Sequence, residues 1–248
     1  MHTRKGLWAL LPVALVLIAG FAWWSGSHNR KEAEAELSSR LSAQAKFRAD
    51  KLDAEMNKLR KDVMFLAAVP PIQGIVRASQ SEGFDVKDSS ALKTWRKRLE
   101  TIFLAYARTN EDFFQLRFIG VKDRGREIVR VDHRQDSVFS VPENELQYKG
   151  DRDYFQQAIQ YPKGEVFVSS LDLNQEYGKV EKPTIPTMRV ATPIQDSMGR
   201  PFGIVILNIY ARHMLQNFQK DIPSNFLGFL VNQDGDYLSH ENHQKTFG

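Results

Sequence analysis

The chain has 248 residues, of which 42% are hydrophobic and 26% are charged. This composition is ordinary for a globular protein and excludes a chain that is disordered throughout. The formal net charge is +4, but 34 basic residues are interleaved with 30 acidic ones, so no nucleic-acid partner is expected. The chain has no cysteine, which excludes disulfide bonds, thiol catalysis and thiolate metal sites.

The N-terminal segment predicts a membrane anchor. A basic head at residues 1–5 precedes residues 6–24, which carry no charge. As a helix this run would span roughly 29 Å, about the thickness of the hydrocarbon core of a bilayer. Trp8 lies near one end of the run and Trp23 and Trp24 lie at the other, and indole rings favour the membrane interface. The positive-inside rule places the basic head in the cytoplasm, so we expect a cytoplasmic tail followed by a transmembrane segment.

A cleaved signal peptide is the alternative interpretation of this segment. Gly20, Phe21 and Ala22 provide small residues at a spacing typical of a cleavage site. The apolar run is longer than a usual signal core and a Trp pair follows it directly, so we favour an uncleaved anchor. In both cases the residues after 25 are expected to be extracytoplasmic.

A single long helix is expected at residues 28–69. This stretch contains no glycine or proline before Pro70 and is rich in Ala, Glu, Lys, Arg and Leu, which favour helix. Large apolar residues recur in steps of four and three at Leu52, Met56, Leu59, Val63 and Leu66. We expect the C-terminal half to join the core of the next domain and the N-terminal half to form a stalk, through which two copies of the chain pair as a homodimer.

The rest of the chain predicts an α+β fold. The expected elements are a helix from Ser89 or Ser90 to about Arg108, strands at 113–121 and 127–132, a helix at 151–160, a strand at 165–170, a hairpin at 187–194 and 201–210, and a helix at 211–218. Five short strands that do not alternate regularly with helices predict an antiparallel five-stranded sheet flanked by helices.

The start of a second sheet is expected at the end of the chain. GFLVNQDGDYL, from residue 228, repeats the order of apolar strand, charged turn and second strand of LRFIGVKDRGREIV, from residue 116. We therefore expect one domain at residues 70–220 and the beginning of a second, similar domain at residues 226–248. An isolated hairpin is marginal in water, so we expect this sequence to be a piece of a longer chain.

These elements, in this order, resemble the double Cache region of bacterial transmembrane receptors, which consists of two PAS-like sensor domains. LQYKGDRDYFQQA, SSLDLNQEYGKVEKPTIPTMRVATPI and GRPFGIVILNI are similar to the sensor region ahead of bacterial histidine kinases and of some diguanylate cyclases, and the resemblance covers roughly residues 30–248. It implies an extracytoplasmic small-molecule pocket in the membrane-distal domain, a homodimer along the long helices, and signalling across the bacterial inner membrane. A histidine kinase is the effector expected first, with a diguanylate cyclase or a chemotaxis receptor as alternatives.

The resemblance also implies ligand-binding residues. Members that bind amino acids hold the carboxylate of the ligand with an Arg and neighbouring aromatic residues at the start of a helix. Arg152, Tyr154 and Phe155 match that motif, although Tyr or Phe stands here in place of the usual Trp. Asn174 and Glu176 fall in the region of the downstream acid that holds the amine.

The stretch YKGDRDYFQQAI, from residue 148, supports the same site on physical grounds. The guanidinium of Arg152 can donate two hydrogen bonds to a carboxylate, and a helix start adds unpaired backbone amides. Lys149 adds a cation, while Tyr154 and Phe155 would form an apolar wall. The alternative is an ordinary helix start, in which Asp151 is the cap, Arg152 is solvated and the rings are core residues.

Further candidate contacts lie in the strands and in one loop. Asn174 and Glu176 belong either to a plain surface turn or to a loop that closes over the sheet. Arg189 interrupts an otherwise apolar strand and either faces outward or contacts an anion at the sheet centre. Arg117, in the first strand, has the same two interpretations.

No catalytic residue, cofactor or metal site is expected in this chain. The sequence lacks a phosphate-binding glycine loop and a nucleophile elbow. His240 and His243 have the spacing of metal ligands but no third ligand follows. An exported enzyme or scaffold that binds a phosphorylated small molecule is the alternative from a different functional class.

Overall fold

The structure, a computed structural model, describes residues 5–134, 137–220, 222, 226–232, 234–240 and 242, with side chains from residue 16 onward. The chain divides into two compact units, Met1–Ala54 and Glu55–Gly248. Helix α1, Lys5–Ala68, supplies the first unit and the beginning of the second.

Helix α1 confirms the long helix expected from the sequence and begins earlier than residue 28. It ends before Val69, whose ψ of 142° is extended, as expected for a residue that precedes a proline. Pro70 then begins α2, Pro70–Gln80, because a proline in the first turn of a helix sacrifices no helical hydrogen bond. The proline pair therefore ends one helix and begins another, whereas from the sequence it was expected only to end a helix.

The predicted membrane segment lies at the start of α1. Among the helices in the described part of the chain, none has a stretch long and apolar enough to cross a membrane. The side chains of residues 6–15, which belong to the predicted segment, lie outside the described residues. The anchor therefore stays a prediction.

The second unit combines short helices with strands of very different lengths. Its other helices are α3 (Leu92–Arg108), α4 (Lys122–Gly125), α5 (Asp153–Ala158) and α6 (Ala211–Gln219), with a 3₁₀ turn at Glu143–Glu145. Its strands are β1 (Phe84–Asp85), β2 (Ser90–Ala91), β3 (Phe113–Gly120), β4 (Glu127–Arg134), β5 (Ser137–Ser140), β6 (Phe167–Val168), β7 (Asp172–Leu173), β8 (Gln175–Glu176), β9 (Lys179–Val180), β10 (Pro186–Gln195), β11 (Pro201–Tyr210), β12 (Leu230–Val231) and β13 (Tyr237–Ser239).

The main sheet is antiparallel and, within the described residues, has seven strands. Their order is β5-β4-β3-β11-β10-β6, with β7 also paired to β10. The two expected hairpins are confirmed, because β3 pairs with β4 and β10 pairs with β11. Five strands were expected; the two extra ones, β5 and β7, are short strands paired to β4 and to β10, and segments of that length give little periodic signal.

Several expected elements are shorter in the structure. The helix expected at residues 151–160 is the six-residue helix α5, Asp153–Ala158. The strand expected at residues 165–170 is the two-residue strand β6. The hairpin expected near residue 230 is present as the pair β12 and β13, while the expectation that it begins a second sensor domain stays a prediction.

One face of the main sheet forms the principal hydrophobic core. Side chains alternate along a strand, so Leu116 and Phe118 of β3 lie on the same face, beside Val205 and Leu207 of β11. This face packs against the end of α1, α2 and α3, which contribute Val63, Leu66, Ile72, Leu99 and Phe103. The apolar stripes of the helices therefore cover the central strands on one side of the sheet.

The opposite face of the same strands is largely polar. Its buried polar side chains include Gln115, Arg117, Arg130, Asp132, Arg189 and Asn208. Directly opposed pairs in neighbouring strands bring Arg117 beside Arg130 and Gln115 beside Asn208. A smaller apolar cluster, in which Ile119 and Ile206 contact Tyr154 and Phe155, anchors α5 on this face.

We predict that Gly74→Ala destabilises the chain, because Gly74 in α2 lies directly under the Trp95 ring of α3. A Cβ atom at position 74 would lie 2.3 Å from Cδ2 of Trp95, and such overpacking costs about 1–3 kcal/mol. Thermal unfolding of the purified chain measures the loss.

The matched control is Gly26→Ala in α1, where an added Cβ atom meets nothing within 4 Å. This change should leave the melting temperature unchanged or raise it, because alanine favours helix over glycine. Equal melting temperatures for Gly74→Ala and the parent chain would contradict the packing described for α2 and α3.

Candidate functional site

A cavity of about 380 Å³ opens between the polar face of the sheet, α5 and the segment around β7 and β8. The lining is dominated by polar and charged side chains. It includes Asp151, Arg152, Asp153, Tyr154, Gln157, Ser169, Ser170, Asp172, Gln175 and Arg189. The volume falls within the range typical of small-molecule sites.

Arg189 lies at the centre of the sheet, on β10, and is only 2% exposed. Its Nη1 atom donates a hydrogen bond of 2.6 Å to Oδ1 of Asp172. Its guanidinium carbon lies 5.0 Å from the centroid of the Tyr154 ring, within the range of a cation–π contact. The Nε atom is buried and has no hydrogen-bond partner among the described residues. A buried donor without a partner is costly, so Arg189 has unused capacity for an acceptor.

Arg152 stands directly before α5 and is half-buried. Its Nη1 atom donates to Oε1 of Gln175 at 2.9 Å. The partner is a neutral amide, so no carboxylate neutralises the guanidinium through this bond. Because α5 has only six residues, the positive charge at this point comes mainly from the side chain and not from a helix dipole.

Tyr154 and Phe155 are both buried, but they have different surroundings. The Tyr154 hydroxyl accepts a hydrogen bond of 3.2 Å from Nη1 of Arg117. The guanidinium carbons of Arg117 and Arg189 lie 5.5 Å and 5.0 Å from the centroid of its ring, and Tyr154 lines the cavity. Phe155 belongs to the apolar cluster that fixes α5 to the sheet. Tyr154 is therefore a cavity residue, whereas Phe155 supports it.

Arg117 is buried behind Tyr154 and does not line the cavity. Its Nη2 atom donates a 2.7 Å hydrogen bond to Oδ1 of Asn208, and its Nη1 atom lies 3.5 Å from Oε1 of Glu127. The arginine therefore holds the Tyr154 hydroxyl and links β3 to β11 and β4.

Glu176, on β8, is surrounded by donors from the sheet and from the loop before α5. Oε1 accepts a 2.7 Å hydrogen bond from Nε2 of Gln115, and Oε2 accepts one of 2.8 Å from Nε2 of Gln147. Nη1 of Arg130 lies 3.4 Å from Oε2, and Nζ of Lys149 lies 3.7 Å from the same oxygen. Burial alone would raise the pKa of Glu176, but Arg130 and Lys149 outweigh it and hold the pKa well below its usual range.

Lys149 is 5% exposed and donates a 2.8 Å hydrogen bond to Oε1 of Gln147. Burial and the nearby Arg117 lower the pKa of Lys149 to about 8, against the opposite influence of Glu176 and Glu127. Asn174 is also buried and donates to Oε2 of Glu181 at 2.8 Å. Lys149 and Asn174 complete a network of buried charged and polar side chains beside the cavity.

A second cavity, of about 440 Å³, adjoins the first. Tyr148, Lys149 and Tyr177 contribute to its lining. Asp151, Arg152 and Gln175 line both cavities, so the hydrogen bond between Arg152 and Gln175 lies where the two cavities meet.

The structure thus brings three of the predicted residues, Arg152, Tyr154 and Arg189, to one cavity. Lys149 borders the second cavity, and Arg117, Asn174 and Glu176 form the neighbouring network. Four further residues of the site were not predicted from the sequence: Gln115, Arg130, Gln147 and Asp172. For Gln115 and Arg130 a signal was available, because polar side chains alternate with apolar ones in both strands of the first hairpin.

We predict that Glu176→Gln lowers stability at neutral pH and that this deficit shrinks under acid. The folded-state pKa of Glu176 lies below the ordinary value of 4.5. Its stabilising contribution is therefore fully present above about pH 4.5 and is lost as the pH falls below that value. Melting temperatures of both chains between neutral pH and pH ~3 measure the difference. A difference independent of pH would contradict the ionised state of Glu176 in the network.

Comparison with known proteins identifies the family. Residues 85–248, about two thirds of the chain, match the family described as bacterial histidine kinase, sensor domain. No curated protein matches the chain.

The fold is similar to that of solved sensor domains. A domain from Vibrio parahaemolyticus assigned to the sensory box/GGDEF family has 17% identity and a TM-score of 0.66, over 82% of this chain and 71% of that one. The extracellular domain assigned to the histidine kinase vpHK1S-Z8 has 17% identity and a TM-score of 0.65, over 82% and 68%. Methyl-accepting chemotaxis protein X has 12% identity and a TM-score of 0.55, over 82% and 74%.

At these identities the structural likeness shows the fold alone, which several kinds of receptor share. The match of residues 85–248 carries the assignment further, because it covers more than half of the chain. It confirms the resemblance found in the segments around Arg152, Glu176 and Arg189. The chain belongs to the family of bacterial histidine kinase sensor domains.

Proposed function

We propose that this chain is the ligand-sensing, extracytoplasmic part of a membrane-bound bacterial receptor, and that the receptor is a sensor histidine kinase. Membership of the sensor-domain family supports this role. Similar folds in a GGDEF-family protein and in a chemotaxis protein keep a diguanylate cyclase and a chemotaxis receptor as alternative effectors.

The ligand in this proposal is a small anion, and the surroundings of Arg189 are the observation that supports this choice. A guanidinium that is 2% exposed borders a cavity of about 380 Å³, and its Nε atom lacks a partner among the described residues. A carboxylate or phosphate oxygen would satisfy this donor and gain from the low dielectric of the site.

Arg152 is the second cation of the proposed anion site. Its partner Gln175 is neutral, so exchange of that bond for an anionic ligand is favourable. Asp151 and Asp153 also line the cavity, and their carboxylates would suit an ammonium group on the same ligand. Amino acids therefore belong among the candidates, together with simple carboxylates and phosphate esters.

We also propose an inner-membrane anchor at residues 6–24, with residues 1–5 in the cytoplasm and the residues after 25 in the periplasm. The charge-free run and the flanking tryptophans support this arrangement. A second proposal is that two copies pair along α1. Leu37 and Leu41, four residues apart on one helix face, are 45% and 43% exposed.

Signal transfer in this proposal uses the two faces of one set of strands. The anion would contact Arg189 on one face of β10, while the adjacent residue Val190 packs in the core with Val63 and Leu66 of α1. Because this core is closely packed, a shift of β10 on ligand binding would also displace the C-terminal end of α1.

We predict that a thermal-shift screen of monocarboxylates, dicarboxylates, amino acids and phosphate esters finds at least one anionic class that raises the melting temperature of the chain. Arg189→Gln should remove this response, because the neutral amide of Gln has no positive charge to pair with the anion. The matched control is Arg40→Ala, which removes an exposed cation of α1 paired with Glu36.

The control should respond to the same anion as the parent chain does. An equal response of Arg189→Gln and the parent would contradict the assignment of Arg189 as the ligand contact. Stabilisation by phosphate esters alone would favour a receptor or scaffold for phosphorylated compounds over one for carboxylates.

We predict that Leu41→Cys forms a disulfide-linked dimer under mild oxidation, because the two copies of the residue meet across the proposed stalk. The chain contains no other cysteine, so a non-reducing gel reports this contact alone. Ser39→Cys is the matched control, since residues two positions apart do not share a helix face. Equal cross-linking at both positions, or none at Leu41, would contradict pairing through this face.

A further inference from the structure

The segment at residues 172–181, here called the strap, crosses the polar face of the sheet. It contains the β8–β9 hairpin, which pairs with itself and not with the main sheet. Asp172 accepts a hydrogen bond from Arg189, Gln175 accepts one from Arg152, and Glu181 accepts one from Arg134. Strand β7 at the start of the strap pairs with β10 of the main sheet, and beyond β7 side-chain contacts with cations hold the strap.

Glu176 makes the most enclosed of these contacts. The donors around its carboxylate come from Gln115, Arg130, Gln147 and Lys149. Gln115, Arg130 and Lys149 are exposed by 0%, 5% and 5%, so the site is built into the protein interior. Donors that converge in this way are typical of a bound carboxylate ligand, but here the carboxylate belongs to the chain itself.

The charges around this site explain why an anion must occupy it. Arg117, Arg130 and Lys149 are three buried cations, and apart from Glu176 the buried carboxylates beside them are Glu127 and Asp132. Glu176 brings the charges of the network into balance. Without it one buried cation would remain uncompensated, which is strongly unfavourable. A vacant site would therefore attract another anion.

The geometry of the site favours a carboxylate over a monatomic anion. Oε1 of Glu176 accepts from Gln115 and Oε2 accepts from Gln147, at 2.7 and 2.8 Å. Two oxygen atoms held by one carbon are needed to accept both hydrogen bonds at once. A carboxylate presents one oxygen atom to each donor, as Glu176 does, whereas chloride offers both donors the same single centre.

We propose that the Glu176 carboxylate is a tethered ligand, bound in a carboxylate site of the sensor, and that it holds the strap closed over the cavity. A free small monocarboxylate is the chemical class that can take its place when Glu176 is absent or released. Release of Glu176 would free its neighbour Gln175, which lines both cavities. The role of the strap as a cover rests on the proposed ligand cavity, whereas the carboxylate site itself does not.

The test uses Glu176→Ala in the complete 248-residue chain, with sodium acetate as the probe. Without acetate, amide hydrogen exchange in residues 172–181 should increase by at least about tenfold, because the strap loses its anchor. Acetate should then raise the melting temperature of the variant more than sodium chloride does at the same concentration. The parent chain should show no such difference, because the tethered carboxylate has a far higher effective concentration.

Two further variants separate a built site from a general salt effect. Glu181→Ala removes a different carboxylate of the strap, whose partner Arg134 has a side chain 26% exposed, and this variant should respond equally to acetate and chloride. Glu176→Gln keeps the volume of the side chain and fills the site, so acetate should again give no advantage.

Equal effects of acetate and chloride on Glu176→Ala would overturn the proposal, as would an acetate advantage of the same size in Glu181→Ala. If Glu176→Ala fails to fold, exchange in Glu176→Gln decides the matter. Faster exchange confined to residues 172–181 supports the tether, and unchanged exchange there refutes it. None of these measurements uses a cavity ligand, so failure of the Arg189 assignment and failure of the tether are distinguishable.

Discussion

A buried guanidinium needs partners, and this requirement organises the covered face of the sheet. Arg117, Arg130 and Arg189 are exposed by 2%, 5% and 2%, and each would be costly without an acceptor. The sheet itself supplies part of these acceptors, since Asp132 accepts two hydrogen bonds of 2.7 Å from Arg130, and the segments that cover this face supply further ones. Tyr154 from α5 partners Arg117, and Asp172 and Glu176 partner Arg189 and Arg130. The segments over this face thus place acceptors beside the buried guanidinium groups of the sheet.

The same strands have an entirely different role on their other face. There Val190, Val205 and Leu207 pack with Leu66 of α1 in a dry hydrophobic core. A β-strand presents alternate side chains to opposite faces, so a single strand can carry an anion contact and a helix contact at adjacent residues. Close packing makes the apolar side resist deformation. In the proposed receptor, this rigidity would couple an event at Arg189 to the long helix.

Much of the fold was predictable from the periodic spacing of apolar and polar residues in the sequence. Alternation in β3 placed Arg117 on the face opposite Leu116, and the long helix and both hairpins are confirmed. Other features depend on long-range pairing that no local pattern contains. Gln115 and Glu176 are 61 positions apart in the sequence, so the carboxylate site of Glu176 was not predictable. The helix α2 was missed because Pro70 was interpreted only as a stop signal, although proline also favours a helix start.

From the sequence, Glu176 belongs either to a plain surface turn or to a loop that closes over the sheet and contacts a ligand amine, and in the structure cations of the chain engage it. Nε of Arg117, behind Tyr154, and Nε of Arg189 are both buried without a partner among the described residues, and of the two arginines Arg189 is the one that lines the cavity. The most direct test of the account is therefore a crystal structure of the chain with the anion that stabilises it most. We expect an oxygen atom of that anion within about 3 Å of the Arg189 guanidinium. An anion bound away from this cavity, with the surroundings of Arg189 unchanged, would contradict the account.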